Sequence, residues 1–96
     1  MRFEKLEQNI IDMIKEEQAK LGYRKESIRL YYPLSSLNHF FQVEGDVTGM
    51  LEKLNWFSEY TKQRLGQVEV TNEGERFCFH IPEEGVEYVH EQMKEN

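Results

Sequence analysis

Residues 65–89 read LGQVEVTNEGERFCFHIPEEGVEYV, and two alternating apolar runs flank Asn72-Glu73-Gly74 before the chain passes into Pro82-Glu83-Glu84-Gly85. Alternation puts Val68 and Val70 on one face of a first strand and Phe77, Phe79 and Ile81 on one face of a second, the period-2 pattern of a half-buried sheet. The stretch therefore predicts a β-hairpin that hands over to a helix. The two apolar rows must share a face, and a one-residue slip separates them. A three-residue loop would set Val70 opposite Arg76. A two-residue loop at Asn72-Glu73 keeps parity but asks Glu73 for a positive φ, which suits Asn or Gly better. A four-residue loop, Asn72 to Glu75, pairs Val70 with Phe77 and Val68 with Phe79, and Gly74 supplies the left-handed residue. That is the expected turn.

Outward from the hairpin, helical spacing dominates. Phe3, Leu6, Ile10, Met13, Ile14 and Leu21 form an amphipathic first helix stopped by Gly22. Ser27 to Tyr32 alternates, with Ile28, Leu30 and Tyr32 on one side, and Pro33 ends that strand by removing a donor. A second helix begins at Pro33 or Ser35, with Ser35 and Ser36 read as caps and Leu34, Leu37, Phe40 and Phe41 facing inward. Asp46 caps a third helix reaching about Leu65. At 100° per residue, Val47, Met50, Leu51, Leu54, Phe57, Ser58, Thr61 and Leu65 cluster on its core face. The fourth helix starts at Pro82 and turns Val86, Val89 and Met93 inward, with Glu83 and Glu84 at its positive end.

The chain has 96 residues, of which 39% are hydrophobic and 31% charged, enough for one α+β domain over 1–96 with a single core. Its net charge is -6, so it lacks the broad basic field of a typical nucleic-acid binder, and any such activity must use a local patch. One cysteine, Cys78, excludes an internal disulfide and suits a reducing cytoplasm. The start is charged throughout, and no apolar run approaches the ~20 residues that span a bilayer, so the expectation is a cytoplasmic domain with no membrane contact.

The order helix, strand, helix, helix, hairpin, helix looks like a winged helix, and residues 65–89 resemble the wing and following helix of bacterial winged-helix proteins. IPEEGVEYV carries that match through a loose pattern, polar residues before a glycine and then an aliphatic pair. KEEQAKLGYRKESIRLYYPLSSLNHFF (15–41) and GERFCFHIPEEGVEYVHE (74–91) more closely resemble an uncharacterised family of small proteins from anaerobic Gram-positive bacteria, a domain of unknown function. That resemblance implies no activity. It does imply longer relatives, of which this chain would be the N-terminal part. By analogy with winged-helix regulators, the first or fourth helix would form a dimer surface. Asp46 to Leu65 departs from the winged-helix pattern, being long and acidic for a recognition helix.

Exposed chemistry points to association rather than catalysis. Trp56 and Tyr60 lie one turn apart, roughly opposite Leu54, with Gly49 on the same side two turns before Trp56. Aromatics beside a small residue suit the docking of another helix. The alternative is that the fourth helix or the first strand of the same chain covers them. Glu52 and Glu59 on this side, and Glu73 and Glu75 at the hairpin tip, would repel phosphates. A local basic patch could still form at Arg24, Lys25 and Arg29, though a solvated face explains them as well.

Cys78 and His80 share the outward face of the second hairpin strand, where packing beneath a neighbouring helix is the simplest account. They have no second cysteine and no spaced histidine to complete a metal site. His90-Glu91 is not a zinc-protease motif, because Lys94 stands where its second histidine belongs. Tyr23, Tyr31, Tyr32, Phe40 and Phe41 read as core filling before ligand pocket. The sequence thus predicts a non-enzymatic domain without cofactor or metal, used for protein association or self-association. The competing function is a DNA-binding transcriptional regulator, disfavoured by charge.

Overall fold

A computed structural model describes residues 3–94. Phe77, Phe79 and Ile81 alternate with Cys78 and His80 along β3 (Arg76–Ile81), and all three are fully buried. β3 is central in a three-stranded antiparallel sheet, with β1 (Ile28–Pro33) on one side and β2 (Glu69–Glu73) on the other. Ile28, Leu30 and Tyr32 stand opposite Ile81, Phe79 and Phe77, and Val70 also meets Phe79, so the inward rows of all three strands coincide. Four helices complete the described residues: α1 (Glu4–Leu21), α2 (Leu34–Phe41), α3 (Val47–Leu65) and α4 (Glu83–Lys94). The fold is α+β in the order the sequence predicts.

The hairpin loop is shorter than the expected one. Glu73 pairs with Arg76, leaving only Gly74 and Glu75 in the loop. Gly74 has φ 62° and Glu75 does not share it, the glycine-first pattern of a type II′ turn. Relative to the expected register the pairing is displaced by two residues, so Val70 meets Phe79 instead of Phe77. A displacement of two preserves parity, so the core face agrees with the alternation and the loop length does not. The Asn72 amide nitrogen donates to Gly74 O at 3.3 Å, and Arg76 Nη2 meets Glu73 Oε2 at 2.5 Å across the loop's base.

Helix ends follow the backbone more than the candidate caps. Pro33 in an extended conformation (ψ 156°) starts α2 at Leu34, so Ser35 and Ser36 already lie inside the first turn and neither caps the helix. The Leu34 amide instead donates to Glu75 O in the hairpin loop at 2.7 Å. Asp46 does cap α3, accepting from the Gly49 amide at 2.8 Å. α2 stops with Gln42 left-handed at φ 56°, and the Asn38 side chain then bridges both backbone groups of Gly45 at 3.0–3.1 Å.

The α3 face predicted inward is inward: Met50, Leu54, Phe57, Ser58, Thr61 and Leu65 are buried, with Val47 and Leu51 half-buried against the core. α1 differs. Leu6, Ile10, Ile11 and Ile14 are buried, together with Glu7 and Gln18, whereas Met13 and Leu21 are exposed. The buried arc runs from Leu6 round to Ile11, and Met13 falls just outside its Leu6 edge, about 90° from the centre. Glu7 is accommodated because Thr61 Oγ1 and Arg64 Nε both donate to its Oε2, the latter at 2.8 Å, joining α1 to α3.

Tyr32 and Phe41 enter the core, with Tyr32 edge-on to Phe79 at 5.2 Å, while Tyr31 occupies the opposite face of the sheet. The aromatic set is therefore divided between core and surface. α4 approaches the end of α3 closely enough that a Cβ on Gly85 would lie 2.3 Å from Leu65 O and 2.9 Å from Ile81 Cγ2.

Alanine at an ordinary helical site is favoured over glycine by about 1 kcal/mol. Here the overlap reverses that preference, and Gly85→Ala should destabilise by about 2 kcal/mol, lowering Tm by roughly 8–16 °C in a melt followed by circular dichroism. Burial pushes the Tyr32 phenol up from 10.0 to about 12, and its hydroxyl donates to Asn9 Oδ1 at 2.7 Å. A raised acid pKa favours the folded state below the unfolded value and loses that advantage as pH climbs through the folded one. Between pH 10 and about 12 the native chain should therefore lose stability relative to Tyr32→Phe, measured by denaturation at matched ionic strength.

Candidate interaction surface

An antiparallel sheet with order β1-β3-β2 leaves β2 as an edge, one of its sides unpaired. Beside it, one flank of α3, carrying Asn55, Trp56, Ser58 and Glu59, forms the far wall of a shallow groove opposite the chain from Gln67 to Thr71. The floor is fixed, because buried Ser58 donates from its hydroxyl to Val68 O at 2.9 Å and ties the start of β2 to α3. Val70 is half-buried in that wall.

Trp56 is 59% exposed and Tyr60 39% exposed, so neither α4 nor β1 covers them. Their settings differ. The Tyr60 ring lies against Phe3 with centroids 5.4 Å apart and beneath the Arg64 guanidinium at 4.8 Å, while Arg64 Nη2 also donates to Tyr60 O at 2.9 Å. Tyr60 is thus fastened to its own fold, and Trp56 presents its ring to the groove. Gly49 is in the first turn of α3, where a Cβ would come 3.1 Å from the capping oxygen of Asp46. Its small size serves the cap at least as directly as any partner.

Charge around this face is mixed with an acidic excess. Glu52, Glu59 and Glu69 are exposed, and Arg64 is engaged by Glu7, which raises its pKa further through their hydrogen bond. Arg24, Lys25 and Arg29 are also exposed, but Lys25 Nζ lies 3.5 Å from Glu87 Oε2 in a depression shared with Glu83 and Glu84. Arg29 belongs to the outer face of the sheet, opposite His80.

Cys78 and His80 lie on that same outer face, half-exposed, in rows with Tyr31 and Thr71 and with Arg29 and Glu69. Among the described residues the helices pack on the other face, so no helix covers this pair, contrary to the expectation. Among the described residues, no three histidine, cysteine or carboxylate side chains are grouped to hold a metal, and no helix is long and apolar enough to cross a membrane. Sequence reasoning missed the groove itself, because its β2 wall depends on strand order.

The chain belongs to the family described as "Domain of unknown function, E. rectale Gene description (DUF3877)", whose model matches residues 3–96. No match was found among curated proteins or among solved structures.

Trp56 is the only tryptophan, which makes it a clean reporter. In dilute solution, below the range of self-association, its fluorescence should be readily quenched by acrylamide, and Trp56→Ser should change stability by no more than about 0.5 kcal/mol in urea denaturation.

Proposed function

We propose that this domain is a protein-association module built on a winged-helix-type frame, and that it docks another polypeptide, a second copy in the first instance, at the Trp56 groove. One observation carries the reading: a large aromatic side chain, 59% exposed, stands beside the unpaired edge of β2. Indole burial is among the largest single contributions an interface residue makes, and an open strand edge adds main-chain donors and acceptors. Tyr60, already held by Phe3 and Arg64, would lose little side-chain entropy on contact. The helix order and the β1-β3-β2 sheet support the winged-helix frame.

DNA binding is the second reading that such a frame suggests. The acidic outward side of α3 and the carboxylates of the hairpin tip weigh against it. Salt separates the two. Copies that each carry a net charge of -6 repel, so added salt should strengthen self-association, whereas phosphate contacts weaken steeply with salt.

Sedimentation velocity from micromolar to millimolar concentration should show a dimer whose population grows as salt rises, and Trp56→Glu should raise its dissociation constant at least tenfold. A monomer at every concentration removes the self-association reading. Binding to a mixed-sequence duplex that weakens with salt would replace it with the nucleic-acid one.

A further inference from the structure

α1 ends at Leu21, and the segment that crosses from Gly22 to β1 meets α4 only at some points along its length. Between them lies a cleft of about 220 Å³, walled by Ile14, Leu21, Ile28 and Val86. Leu21 is 67% exposed on this wall although it lies in register with the buried row of α1. The crossing segment is fixed. The Tyr23 ring stacks on His90 with centroids 3.8 Å apart and planes 6° from parallel, and Lys25 is paired with Glu87. The cleft is therefore preformed, as ligand sites usually are.

Its polar component is Gln18, 9% exposed. Gln18 Nε2 donates to Val86 O at 3.2 Å, and Oε1 has no hydrogen-bond partner. A carbonyl only accepts, so Val86 O fixes which end of the amide is nitrogen and leaves the oxygen unused. A buried acceptor without a donor is unfavourable, and native structures rarely keep one without cause.

We propose that this cleft binds a small, neutral, mainly apolar molecule that carries one hydroxyl or N–H donor, with Gln18 Oε1 as its acceptor. The oxygen has no exposed surface, so the Gln18 amide must turn toward the cleft when the donor enters. The rim holds one cation, Arg24, and two carboxylates, Glu17 and Glu26, an acidic excess that offers a ligand carboxylate no net attraction. A cleft of this volume accommodates a single six-membered ring. The site is independent of the Trp56 groove.

Phenol and toluene have nearly the same shape and differ in the donor. Titrated into the full ¹⁵N-labelled chain, both should give saturable shifts of the Gly22, Ile28 and Val86 amides, with phenol binding about fivefold tighter, the equivalent of ~1 kcal/mol. In Gln18→Met the two should bind alike. Intermolecular NOEs from the phenol ring to the Ile14, Leu21 and Val86 methyl groups place it in the unmodified chain without relying on any variant. Absence of saturable shifts at those amides, a phenol affinity no higher than that of toluene, or a preference that survives in Gln18→Met would each overturn the proposal.

Discussion

A strand with neighbours on both sides cannot slip without disturbing the whole sheet, and β3 is that strand. Its three inward side chains, Phe77, Phe79 and Ile81, are fully buried, and each stands opposite an inward residue of β1. Moving β3 by one position would expose all three and bury Cys78 and His80 in their place. Three fully buried large side chains contribute on the order of 5–9 kcal/mol together, comparable with the whole net stability of a small domain. These side chains join residues of all four helices in one buried cluster. α4 follows β3 after a single residue, and it can lie against the end of α3 only because Gly85 has no side chain to strike Leu65 O.

The sequence disclosed what depends on periodicity. The inward face of α3 and the Asp46 cap are local patterns, and the structure reproduces both. Trp56 pointed outward by simple angular distance from Leu54, and it is exposed. The hairpin loop was less legible, because displacements of two residues are invisible to an argument from parity. Ser35 and Ser36 looked like caps, yet the backbone of Pro33 decided where α2 begins.

Features that need two distant segments were not legible at all. Glu7 reads as an ordinary surface carboxylate, and only the arrival of Thr61 and Arg64 from α3 makes its burial tolerable. Gln18 likewise looks like a polar interruption of an apolar row. The groove beside Trp56 depends on β2 being an edge, which follows from strand order rather than from any one strand. In a family described only as a domain of unknown function, these long-range placements are where function has to be sought.

The bond from the Leu34 amide to Glu75 O joins residues 41 positions apart in sequence through main-chain atoms alone. The tip of the hairpin is thereby held at the root of α2 instead of swinging free as a loose flap. Lifting the tip would also strip a first-turn amide from that short helix, so the two motions form one cooperative unit with a shared opening free energy. Side-chain substitution at either residue leaves this bond intact, so the coupling is insulated from most point changes. Only a backbone change such as proline at Leu34 would cut it.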